Sequence, residues 1–203
     1  MITRAAIEEQ LERARQLGYL GDGPVSDHYE HARRQVEQLG DLEGGVVVDL
    51  GSGGGVPGLV VPAILPSVEL VLIDRQARRT AFLRSAVAAL GLAARIEVLT
   101  GAAEELAHVP GLRGSCVAVL ARSFGPPPVV VECGGGFLAP DGVLVVTEPP
   151  EPGRWTDAPL ERFGLRLTET ASAGSRYAVL RRTGEWPADL PRPERVTRRR
   201  PLW

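Results

Sequence analysis

The chain has no lysine, and all 23 of its basic residues are arginine. With alanine, glycine and proline abundant, this reads as the bias of a GC-rich genome and not as a function. Cysteine is scarce too. Cys116 and Cys133 stand far apart, outside any CxxC or metal-ligand spacing, and read as small buried hydrophobes. Three histidines, His28, His31 and His108, are too scattered for a metal site. His28 and His31 share a helix face at i, i+3, but no third ligand is evident, so no metal is expected. No apolar run reaches the roughly 20 residues that cross a bilayer. The opening Met1–Ala6 soon turns charged, so a signal peptide is not expected and a cytoplasmic protein is the default. Nor does one sign of charge dominate: the net charge is −2 and the pI about 6.0. That balance speaks against a protein living on nucleic-acid phosphates, although a local patch can sit inside a neutral total.

What is present suffices for one ordinary domain of 203 residues with a real core. Residues 1–40 read as an N-terminal helical lid, 44–182 as the core and 183–203 as a tail rich in proline and arginine. In the lid, Ile7, Leu11, Ala14 and Leu17 repeat at helical spacing after a capping Thr3. Gly18–Pro24 breaks that helix, and Ser26 is expected to cap a second one bearing Tyr29, Ala32, Val36 and Leu39. The core alternates, with strands expected near 45–50, 69–74, 95–99, 115–121 and 142–147 and helices near 57–65, 77–90 and 127–133. That alternation predicts an α/β fold, a Rossmann-like and mostly parallel sheet with helices on both faces. Leu165–Thr170 and Tyr177–Arg182 then alternate like an antiparallel hairpin turning at Ala173-Gly174. In the tail, Pro187, Pro191, Pro193 and Pro201 are expected to forbid a helix. Its Arg192, Arg195, Arg198, Arg199 and Arg200 form either a solvated tail or an arm that contacts phosphate.

The most informative stretch is Asp49-Leu-Gly-Ser-Gly-Gly-Gly-Val-Pro-Gly58, between the β-branched run Val46–Val48 and the apolar Leu59–Leu65. Strand, glycine turn and helix make a nucleotide-binding corner. A dinucleotide fingerprint would place its third glycine where Val56 stands. The spacing is instead D-x-G-x-G-x-G on Asp49, Gly51, Gly53 and Gly55, which resembles the first motif of class I S-adenosylmethionine (SAM) methyltransferases. Asp74 ends the next strand, where a carboxylate can take both ribose hydroxyls or cap the following helix. A mostly parallel sheet closed by an antiparallel hairpin is also the methyltransferase layout.

Several segments together resemble the bacterial 16S ribosomal RNA guanine-N7 methyltransferase family, also called glucose-inhibited division protein B. Asp49–Gly58 fits the family's D-x-G-S-G-x-G-x-P-G throughout, and Leu72–Arg84 fits L-x-D-x-x-x-K-R-x-x-F-L-R with Arg78 for lysine. Gly101–Glu105 and Ala121–Phe124 match two further blocks, and the Tyr177 strand, the basic ending and Gly18–Gly21 with the His28 helix match more weakly. The likeness covers nearly the whole chain, with a shortened start. The departures are Asp27 and Ala102 for arginines, His31 for an acid or amide, and Glu148 for a lysine. Cofactor positions survive while acceptor positions lose positive charge, as in a relative that changed its acceptor.

The resemblance implies SAM as cofactor. Gly51, Gly53 and Gly55 would admit its methionine half, Val56 would pack on it, and Asp49 would orient the loop or meet the ammonium through water. Ala103 and Glu104 would flank adenine, with Glu104 alternatively a helix-start acid. Arg122 would lie at the cofactor's amino-acid end or the acceptor, or alternatively form a surface ion pair. No general base stands out, and guanine N7, with a free lone pair, needs none. For another acceptor the candidates are Arg122, Glu148, His28 and His31. Three readings remain open: methylation of 16S rRNA or the small ribosomal subunit, N- or O-methylation of a small molecule, and a SAM-sensing protein without turnover.

Overall fold

The apolar runs become five parallel strands, β1 (Val46–Leu50), β2 (Glu69–Asp74), β3 (Ile96–Thr100), β4 (Cys116–Ala121) and β5 (Leu138–Glu148). β6 (Leu165–Ser172) and β7 (Ser175–Arg182) complete a seven-stranded sheet in the order β3-β2-β1-β4-β5-β7-β6. β7 lies antiparallel to both β5 and β6, with Val145 opposite Val179 and Ser172 opposite Ser175. The computed structural model describes residues 2–151, 153–172, 174–197 and 199–203. Ala173 of the expected turn and Arg198 of the tail therefore lie outside the described residues.

Because strand side chains alternate, each strand feeds two cores. Val47, Leu70, Leu72, Ala118, Leu120 and Val145 face one layer of helices: α1 (Arg4–Gln16), α2 (Val25–Glu37), α3 (Val61–Ile64) and α4 (Ala77–Ala89). Val48, Val71, Ile73, Val119, Leu144 and Leu180 face the other, built from α5 (Ala103–Leu106), α6 (Pro127–Gly135) and the C-terminal segment. Every residue of α6 is buried, including the one charged residue in it, Glu132, which is paired with Arg192. Strand order reverses between β1 and β4, so their carboxyl ends open a crevice.

Thr3 caps α1 as expected, its Oγ1 accepting from Ala6 N–H at 3.3 Å. Ser26 does not cap α2. That helix starts at Val25 behind Pro24, and Ser26 sits in its first turn beside Asp27. Pro24, in extended conformation, takes the cap position instead, its carbonyl accepting from Asp27 and His28 N–H. The tail corrects a second expectation, because Glu194–Thr197 form one helical turn, α7. Pro193 precedes it and offers its carbonyl to Val196 and Thr197, so the prolines bracket the turn instead of interrupting it.

Candidate functional site

Leu50 ends β1 and the chain turns through Gly51, where φ is +67°. A Cβ there would lie 2.9 Å from Cδ2 of Phe124, so only glycine fits. The turn is tied from below. Ser52 N–H donates to Ile73 O at 2.9 Å, Gly53 N–H to Asp74 Oδ2 at 3.0 Å, and Gly58 N–H to Asp49 Oδ2 at 3.1 Å. From above, the Tyr19–Gly21 segment descends onto it: a Cβ on Gly54 would meet Tyr19 O at 2.7 Å. Gly55 instead faces Leu59 and Leu83, away from the crevice.

Two cavities border this turn and a third adjoins them past the end of β4, and Ser123, with φ +53°, lines all three. The first, about 220 Å³, runs from Gly51 past Asp74 to Ala103 and Glu104. The second, about 340 Å³, lies between Tyr19–Gly21 and Gly51–Gly54, with Val56, His28 and Arg122 in its wall. The third, about 410 Å³, is bounded by His31, Arg122, Phe124, Thr147, Glu148 and Arg154. Arg79 borders the first two, 3.7 Å from Asp74 and beneath the Tyr19 ring.

The polar groups differ in how far the protein satisfies them. Asp74 is 4% exposed and accepts from both Gly53 N–H and, at 2.8 Å, Gln76 N–H at the mouth of α4. The carboxylate thus braces the glycine turn and the Gln76 amide while lining the cavity, and α4 itself has no side-chain cap among the described residues. Glu104, in the first turn of α5, is buried and its Oε1 has no protein partner among the described residues. Arg122 is no surface ion pair: its Nη2 donates to His28 Nδ1 at 3.0 Å, and its Nη1 is buried without a protein partner among the described residues. A buried donor and a buried acceptor left open at opposite ends of a cleft fit a ligand carrying a carboxylate at one end and an amino-substituted ring at the other. SAM has both.

Asp49 lies under the loop and does not line the cavities. Burial pushes its carboxyl up to about 7, against the opposing pull of Gly58 N–H and Arg122. Burial also lowers Arg122 from its ordinary value, while Asp49 pulls it back. His31 is held down at about 4, by burial first and then by Arg122, Arg34 and His28, so it is neutral at pH 7. Glu148 is paired with Arg154 at 3.3 Å. Among the described residues, no group of His, Cys, Asp and Glu could hold a metal ion.

Gly51, Gly53, Val56, Asp74, Ala103, Glu104, Arg122, His28, His31 and Glu148 are thus brought to one crevice, whereas Asp49 and Gly55 support it from behind. Tyr19, Gly54, Arg79, Ser123 and Arg154 also belong there. Ser123 could have been found from its place just past a strand end at the reversal of strand order. Tyr19 falls in the weakly matching Gly18–Gly21 stretch, which gives no hint of its place over the glycine turn, and nothing local in the sequence marks Arg154.

A sheet of this order, with a glycine turn after β1 and a carboxylate ending β2, defines a class I SAM-dependent methyltransferase. Solved structures share the fold. A SAM-dependent methyltransferase from Aquifex aeolicus superposes with TM-score 0.62 at 17% identity, over 86% of this chain and 98% of that one. An RNA methyltransferase from Salinibacter ruber, in complex with S-adenosyl-L-homocysteine, gives TM-score 0.57 at 18% identity, over 80% and 97%. The ribosomal RNA small subunit methyltransferase G of Prochlorococcus marinus (strain MIT 9313) is 34% identical over 169 residues, covering 76% of this chain and 67% of its own length. The GidB model, rRNA small subunit methyltransferase G, matches residues 33–148, and the chain belongs to that family.

Proposed function

We propose that the protein holds SAM along the first two cavities and methylates N7 of a guanine in 16S rRNA presented through the third. The observation that carries this reading is the meeting of all three cavities at Ser123, with the two open polar atoms at the cofactor ends. Asp74 takes the ribose hydroxyls, Ala103 and Glu104 receive adenine, and Gly51, Gly53 and Val56 border the methionine half. Arg122 takes its carboxylate, a match of planar fork to planar anion. Bound SAM would supply a methyl group on a sulfonium, its S–CH3 bond breaking by in-line displacement as the neutral thioether of S-adenosylhomocysteine leaves. The protein's work is then to hold the acceptor nitrogen on that line. No residue needs to remove a proton, because N7 carries a lone pair. His28 fits this, since both of its ring nitrogens are already engaged. No helix among the described residues is long and apolar enough to cross a membrane. The substrate places the reaction in the cytoplasm, with the ribosomal subunits.

Incubation with methyl-labelled SAM and 16S rRNA or small ribosomal subunits is expected to put label into RNA, recoverable as 7-methylguanine. RNA that stays unlabelled in every form overturns the reading. A second reading, methylation of a small molecule, is favoured by one observation: a carboxylate, Glu148, stands in the third cavity where the resembling family has lysine. Arg154 partly restores the charge, 3.3 Å from Glu148 and in the same wall. The cavity is neither a closed apolar pocket nor a wide basic face.

A further inference from the structure

His28 makes two hydrogen bonds, and together they fix its tautomer. Arg122 can only donate, so Nδ1, 3.0 Å from Arg122 Nη2, must be the acceptor. The proton is then on Nε2, which lies 3.0 Å from Gly21 O, a group that can only accept. The ring is 9% exposed. On one side it therefore grips the Tyr19–Gly21 segment, which lies over the glycine turn with Tyr19 O against Gly54. On the other side it grips a guanidinium whose remaining terminal nitrogen is buried and open. Gly21, His28 and Arg122 all line the same cavity.

We propose that His28 is a positioning residue that joins the Tyr19–Gly21 segment to Arg122 and so sets the grip on the carboxylate of the cofactor's methionine half. This rests on the proposed place of that carboxylate. Arginine has several rotatable bonds, and a guanidinium pinned by one nitrogen presents the other at a fixed place and angle. Without the imidazole acceptor, Arg122 loses that orientation and the segment loses its tie at Gly21.

The test uses two ligands that share the adenosine and the thioether. S-Adenosylhomocysteine carries the amino-acid end; 5′-methylthioadenosine ends in a methyl group. In calorimetry, His28→Ala is expected to weaken S-adenosylhomocysteine by about tenfold or more, the worth of a hydrogen bond to a charged group. Binding of 5′-methylthioadenosine should change less than about twofold, within what a substitution remote from the ligand produces. Two amide variants separate the two bonds. His28→Asn keeps an acceptor near Nδ1 and should restore most of the S-adenosylhomocysteine affinity. His28→Gln keeps only a donor near Nε2 and should not. These two variants carry the test on their own if the alanine variant fails to fold. Equal loss for both ligands, recovery by Gln but not Asn, or no loss at all overturns the role of His28. Wild-type protein that binds both ligands equally well overturns the carboxylate assignment to Arg122 and the role of His28 with it.

Discussion

Arg192 fastens the C-terminal segment to Glu132, a carboxylate with 0% exposure inside α6. Glu132 Oε1 accepts from the Arg192 backbone N–H at 2.8 Å and from Nε at 2.7 Å, and Oε2 accepts from Nη2 at 2.6 Å. Arg113 adds bonds to the carbonyls of Leu190 and Ala188, and the Trp186 ring fills the space a Cβ on Gly135 would need. Arg192→Met leaves a buried carboxylate without its cation and is expected to cost about 3 kcal/mol, the lower end for such pairs because Arg192 itself is partly exposed. Urea denaturation measures it. Combining Arg192→Met with Glu132→Leu should recover much of the loss, since the stranded charge is gone. An unchanged midpoint in the single variant would show that the segment does not stabilise the fold.

Gly54→Ala tests the contact above the glycine turn. The added Cβ would lie 2.7 Å from Tyr19 O and 2.8 Å from Leu20 Cδ1. One side must shift, and the Tyr19–Gly21 segment has less packed around it than the turn. S-Adenosylhomocysteine affinity is expected to fall about tenfold, with under about 1 kcal/mol lost in stability, a small cost for overpacking relieved by a surface segment. Gly58→Ala supplies the contrast. Its Cβ would collide with Leu72 and Asp49 in the core, and stability should fall by about 1–3 kcal/mol.

Asp49 gives the fold a pH dependence of definite sign. Burial raises its carboxyl to about 7 in the folded protein, whereas in the unfolded chain it titrates near 3.8. Between those values the folded state holds the extra proton. The contribution to stability is therefore complete below the lower value and is lost as pH rises through about 7. In the Asp49→Asn variant the side-chain amide would still accept from Gly58 N–H without titrating, so the stability of that variant relative to wild type should rise from pH 4 to pH 7. His31 acts in the opposite sense: held at about 4, below 6.5, it contributes stability above 6.5 that is lost as pH falls toward 4. Parallel denaturation curves for wild type and Asp49→Asn at all pH values would exclude a buried, titrating Asp49.

The sheet was legible because its signals are local. Val46–Val48, the glycine run and Asp74 each declare a strand, a turn and a strand end within a few residues. The alternation of Leu165–Thr170 and Tyr177–Arg182 gave the antiparallel pair in the same way. What stayed hidden depends on distant partners. Tyr19 reaches the site only because α1 and α2 pack on the sheet, and Arg154 only because the chain after β5 folds back to Gly125, where its guanidinium donates to the carbonyl at 3.1 Å. The helical turn in the tail and the anchor that holds it escape the sequence for a related reason. Prolines spaced along the tail argue against any helix, yet α7 fits between them, and they say nothing of Glu132, which lies about sixty residues earlier and holds the segment down.

Asp74 poses the sharpest question about the cofactor site, because its two oxygens already serve the Gly53 and Gln76 amides. A loss of binding in Asp74→Ala would follow from a collapsed turn as readily as from a lost ribose contact. Asp74→Asn keeps one carbonyl acceptor and the same shape, and is expected to weaken S-adenosylhomocysteine by about 10- to 100-fold, as loss of a buried charged acceptor predicts. The discriminating measurement is a cycle with the 2′-deoxy analogue of the same ligand. If Asp74 binds the ribose, wild type should lose affinity on removal of the hydroxyl and Asp74→Asn should lose much less. If the carboxylate only braces the turn and the Gln76 amide, both proteins will lose the same factor, and the ribose contact must be sought elsewhere in the first cavity.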